Sequence, residues 1–148
     1  MSASNSFETL ILQLLFENAN AANIGDATGL RGSSTAGSLY ISLHTADPGE
    51  GGSQTTSEAT YTGYARVAVA RSTAGWTVTG NSVSNDAAVT FGACTAGSST
   101  CTYFGIGTDS SGAGTLLLSG ALTSPSSLAV TAGITPSFAI GALTTTAD

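Results

Sequence analysis

His44 is the only histidine in the chain, so any imidazole chemistry must use it. The run His44-Thr45-Ala46-Asp47 sets a carboxylate three residues on. A Ser-His-Asp triad would need this pair and one of many serines, but no nucleophile-elbow motif accompanies it. The simpler reading is a histidine that closes a strand beside an Asp47-Pro48-Gly49 turn. The nine acids are Glu8, Glu17, Asp26, Asp47, Glu50, Glu58, Asp86, Asp109 and Asp148. Most fall in expected loops or ends, and no pair is set out for glycoside hydrolysis. Asp47, Glu50 and Glu58 come nearest to a calcium loop, without an ordered ligand pattern. Gly105-Ile106-Gly107, followed by Gly112 and Gly114, lacks the GxGxxG spacing and a helix after it. These glycines read as turn and strand-end residues. No catalytic, cofactor-binding or metal-binding residue is assigned, no cofactor is expected, and the chain is not expected to be an enzyme.

Cys94 and Cys101 lie between two strand-like runs. They are either a cross-hairpin disulfide, which requires Cα atoms within about 7 Å, or two small, half-buried thiols. With one histidine they are too few for a zinc or haem site.

The composition excludes more. Only 8% of the 148 residues are charged, against about a quarter in average proteins. The basic residues are Arg31, Arg66 and Arg71, with no lysine, under a net charge of −6. That rules out a phosphate loop built on lysine and a basic nucleic-acid footprint. Roughly 30% of residues are Ser or Thr, well above average usage. The mean hydropathy of +0.25 excludes a charged disordered tail. The length suits one domain with a real core.

The elements follow from periodicity. Phe7, Leu10, Ile11, Leu14 and Leu15 fall at helical spacing, with Asn5 as N-cap and Glu8 three residues on. Leu12 and Phe16 widen this stripe, which packs on a sheet or meets a partner subunit. Residues 18–38 are rich in Gly, Ala, Ser and Asn, and with the helix they read as an N-terminal arm, 1–38. From Leu39 the period becomes two. Runs at Leu39–His44, Tyr64–Ala70, Trp76–Thr79, Ser82–Ser84, Ala87–Phe91, Tyr103–Gly107, Leu116–Leu122, Leu128–Thr131, Pro136–Ile140 and Leu143–Thr146 alternate between turn clusters. Gly80-Asn81 marks a tight hairpin. The expected fold is mainly β: an antiparallel β-sandwich or jelly roll of about 8–10 strands over 39–148, with one N-terminal amphipathic helix and an extended arm.

Tyr61, Tyr64 and Trp76 form either an aromatic contact surface or core packing. Arg66 and Arg71 lie in small, apolar surroundings, where they pair with acids such as Glu58 or with a partner's carboxylates. The candidate partner-binding residues are therefore Phe7, Leu10, Ile11, Leu14, Leu15, Tyr61, Tyr64, Arg66 and Trp76.

The block Leu39-Tyr40-Ile41-Ser42-Leu43-His44-Thr45-Ala46-Asp47-Pro48-Gly49 resembles one in small tailed-phage virion proteins, often labelled tail fibre proteins. The resemblance extends through Ser57–Arg66, Ala88–Phe91, Tyr103–Gly107 and Leu117–Leu122, and the helix Phe7–Phe16 fits it. In size and β character the chain is also similar to jelly-roll decoration proteins of phage heads. The resemblance implies a virion component without catalysis. The leading expectation is a decoration or cement protein on the outside of the major capsid lattice, where repetition adds strength to a modest contact. The major capsid protein is its expected partner, with self-association as a dimer or trimer and no nucleic acid or membrane. The alternative is a tail or neck fibre subunit in host attachment. The N-terminus has no positive n-region, and the apolar run Leu10–Phe16 is too short to span a bilayer. Synthesis in the host bacterial cytoplasm without a signal peptide is expected.

Overall fold

The computed structural model describes residues 3–147. One helix, α1 (Asn5–Phe16), precedes eleven strands among the described residues: β1 (Ser38–His44), β2 (Val67–Ala70), β3 (Trp76–Thr79), β4 (Ser82–Asn85), β5 (Val89–Thr90), β6 (Ser98–Cys101), β7 (Tyr103–Gly107), β8 (Leu116–Ala121), β9 (Leu128–Thr131), β10 (Ser137–Phe138) and β11 (Thr144–Thr146). The protein is mainly β, with one helix and antiparallel strand pairing, as a β-sandwich with one helix predicts. The chain forms two compact units. One draws on Met1–Ser38, Ala70–Val89 and Phe138–Asp148, the other on Leu39–Val69 and Thr90–Ser137.

In the first unit, Ser4 caps α1. Its extended backbone lets Oγ accept the Phe7 N–H at 3.4 Å. Asn5, the expected cap, is already helical, so the helix begins one residue early. Asn18, with φ 57°, turns the chain out of the helix. The buried line of α1 is Glu8, Leu12 and Phe16, one turn apart. It faces β3 and β4, where the Phe16 and Trp76 rings meet edge to face at 4.8 Å. No basic residue stands in the last helical turn. Arg71 supplies the missing charge, donating from Nε to the Leu15 carbonyl (2.7 Å) and from Nη2 to that of Leu14 (2.9 Å). These are carbonyls that a helix end leaves without partners.

Residues 18–33, expected as part of an extended arm, instead double back. Asn18 exchanges two hydrogen bonds with the Ser33 backbone, at 2.9 and 2.7 Å, and Asn20 Oδ1 accepts from Gly32 N. Ala21 and Leu30 exchange a backbone pair of bonds. The two asparagine amides serve as rungs of a ladder that backbone alone does not complete. The result is a closed loop. The three-stranded sheet of this unit runs β11-β4-β3. Gly80, at φ 61°, makes the expected two-residue turn between β3 and β4.

The second unit holds the four-stranded sheet β2-β1-β7-β8 and the pair β6-β9. Leu39, Ile41 and Leu43 are buried on β1, as their alternation predicts, but so are Ser42 and His44. β6 is a strand where periodicity predicts a loop. Ser99 and Cys101 are its inward residues, too small and polar to register as a hydrophobic alternation.

Candidate functional site

The polar residues of the second unit are mostly absorbed into its own architecture. The Ser42 hydroxyl lies 2.8 Å from His44 Nε2, and His44 Nδ1 lies 2.8 Å from the Thr56 carbonyl. A carbonyl only accepts, so Nδ1 carries the proton and Nε2 accepts from Ser42. Burial lowers the His44 pKa below 6.5; the Thr56 bond and Glu58 oppose this, and Arg66 adds to it. Ser42 and His44 have no solvent exposure. The Gly105 Cα covers them on β7: a Cβ there would stand 2.6 Å from both His44 Nε2 and Ser42 Oγ. Gly107 likewise makes room for Gln54, which is fully buried. Its side-chain amide exchanges bonds with the Asp109 backbone at 3.2 and 2.9 Å. These two glycines are structural, as expected: Gly107 ends β7, while Gly105 serves close packing inside the strand.

Arg66 pairs with Glu58, the first of the two alternatives its surroundings allowed. Nε and Nη2 reach the two Glu58 oxygens at 2.6 and 2.7 Å, while Nη1 and Nη2 donate to the carbonyls of Asp109 and Gly112. The side chains of Arg66 and Glu58 are 2% and 14% exposed. Tyr64 completes the clamp, donating to Glu58 Oε1 at 2.9 Å and accepting the Leu43 N–H. Burial raises the Tyr64 pKa. Glu58 is thus committed to Arg66, which leaves Asp47 and Glu50 without the third member of a calcium loop. Among the described residues no group of three or more His, Cys, Asp or Glu side chains is placed to hold a metal ion.

A joint aromatic surface is not formed. Trp76 is buried in the first unit against Phe16, and its Nε1 has no hydrogen-bond partner. In the second unit Tyr61 is buried, donates to the Gly92 carbonyl and meets Tyr64 edge to face at 5.4 Å. Tyr64 also stacks on Phe91. Burial with Cys101 and Cys94 nearby pushes the Tyr61 pKa up to about 12. Both cysteines are buried free thiols, and burial raises that of Cys101 to about 11. On α1, Phe7 is 48% exposed, and Leu10, Ile11, Leu14 and Leu15 are half-buried. The sheet it packs on has strands of three or four residues, which cover one line of the helix and leave this broader stripe partly open.

A concave surface lies elsewhere, at residues that no sequence motif joins. An open groove of about 440 Å³ runs between the turn after β1, at Asp47, Gly49 and Glu50, and the start of β8, at Leu116, Leu117, Leu118 and Ser119. Asp47 Oδ1 accepts the Gly49 N–H, the reason this turn holds its shape. Glu50 is exposed. Neither acid forms an ion pair among the described residues. β8 is an edge strand. Leu122 N–H bonds back to Thr102, and Phe104 faces Gly120, so by alternation the backbone of Ser119 and Ala121 points away from β7. The sequence signal is three consecutive leucines, too many for a strand with one wet face.

The second unit thus buries His44, Gln54 and Arg66 in its own framework and keeps a groove lined by leucines and two acids. Residues 2–146 match a phage fibre family. The family is that of podophage GP4 fiber I protein gp80, and the chain belongs to it. No curated protein matches the chain. No helix among the described residues is long and apolar enough to cross a membrane.

Proposed function

We propose that this protein is a non-enzymatic fibre subunit of a podophage virion that takes part in host attachment. The observation that carries the reading is the family match, which covers nearly the whole chain. The framework supports it. Gln54 and Arg66 both tie the segment after β1 to the β7–β8 hairpin, the kind of internal bracing an exposed appendage requires. The decoration role expected from the sequence shares the charge-poor, β-rich character, but the family description favours the fibre. Copy number in purified particles, by quantitative mass spectrometry against the major capsid protein, separates the two. A few to a few dozen copies, with antibody label at the tail, is the expected result. Hundreds of copies in simple ratio to the capsid subunit would overturn the fibre reading and support lattice decoration.

A further inference from the structure

The groove beside β8 specifies its occupant. Its wall of Leu116, Leu117 and Leu118 takes an apolar side chain, and Asp47 and Glu50 on the opposite side take a cation. At about 440 Å³ it falls within the usual range of ligand pockets, about 300–1,000 Å³. The chain has only three cationic side chains of its own. Arg66 is held by Glu58 and two carbonyls, and Arg71 by the carbonyls of Leu14, Leu15 and Ala36. Arg31 is exposed and makes no hydrogen bond or ion pair among the described residues. It follows Leu30, one of the few large apolar side chains left 42% or more exposed. The Ala21–Leu30 backbone pair fixes the base of this corner, so the two side chains are presented on a closed loop rather than a free tail.

We propose that the Leu30-Arg31 corner of one copy docks in the groove of a second copy, with Leu30 against Leu116–Leu118 and Arg31 between Asp47 and Glu50. The contact is heterologous, joining different patches on the two copies. It is small, so it is weak for a single pair and gains strength where copies are repeated side by side. Direct pairing of two identical grooves is disfavoured, because it would bring four carboxylates together. The proposal deepens the fibre reading by naming a self-contact, yet its test is independent of any particle.

Sedimentation of the full chain over rising concentration is the experiment, on wild type, Arg31→Glu, Glu50→Lys and the double variant. Both positions are exposed, so folding is preserved, and circular dichroism checks this. Wild type is expected to associate with concentration. Each single variant is expected to associate severalfold more weakly, the scale of an exposed ion pair turned into repulsion. An equimolar mixture of the two single variants is expected to associate, because the intact groove of one meets the intact Arg31 of the other. The double variant is expected to regain association, because the exchanged charges again attract each other. Wild type monomeric up to its solubility limit would overturn the proposal. So would Arg31→Glu associating like wild type. If that variant is silent while Glu50→Lys is lost from particles, the self-contact is overturned and the groove holds a basic segment of another virion protein. Association as expected, with capsid-level copy number, would sink the fibre reading and leave this contact standing.

Discussion

Replacing Arg66 by Ala should be among the most damaging single changes to this protein. The guanidinium makes two bonds to Glu58 and two to backbone carbonyls of the β7–β8 hairpin, all between 2.6 and 2.9 Å. The substitution leaves the Glu58 carboxylate, only 14% exposed, with the Tyr64 hydroxyl but no cation. Removing one partner of a buried pair costs about 3–5 kcal/mol, most of it the charge left behind. For a chain of this size that lowers the melting temperature by roughly 6–20 °C. It also lowers the urea midpoint by about 1 M or more with little change in slope. Arg66→Lys should fall between, since it keeps the charge but loses the planar fork. The cycle Arg66→Met, Glu58→Gln and both together should show the double variant less damaged than the sum of the singles, by at least about 1 kcal/mol. An Arg66→Ala protein within about 0.5 kcal/mol of wild type, the range of unimportant surface changes, would refute the clamp. An additive cycle would refute the pairing in particular.

Three other outcomes are expected. Gly105→Ala sets a methyl 2.6 Å from His44 Nε2 and Ser42 Oγ and should cost about 1–3 kcal/mol by overpacking; urea unfolding measures it, and Ser42→Ala should recover part. His44 has a lowered pKa in the folded state, so the unfolded chain takes the proton first. Its contribution is complete above pH 6.5 and declines as pH falls below that value, by at most about 1.4 kcal/mol per pH unit. His44→Gln should flatten the urea midpoint against pH in that range. Cys94 and Cys101 are buried thiols, so a thiol reagent should label neither in the native protein and both after unfolding; no labelling in urea would mean a disulfide instead.

Strand positions were largely legible in the sequence because small strands with one buried face alternate. Leu39, Ile41 and Leu43 show it, as does the Gly80-Asn81 hairpin. The exception, Ser98–Cys101, uses serine and cysteine as inward residues, and hydropathy does not mark them. The helix was legible too, but not its face. Phe7, Leu10, Ile11, Leu14 and Leu15 make the wider stripe, yet Leu12 and Phe16 are buried, because Trp76 far along the chain selects which side packs.

Residue types and their local order were enough to set the class of this protein: charge-poor, β-rich, with one histidine and no metal-ligand spacing. The chain carries those properties without folding. What the scarce polar residues do was settled by the folded state. Glu58 and Arg66, in the segment after β1, are joined by Arg66 to Asp109 in the β7–β8 hairpin. Asn18 and Asn20 turn an apparent arm into a closed loop, and Asp47 and Glu50 face Leu116–Leu118. Each of these pairings is a distance in space between residues remote in sequence, and only folding sets it.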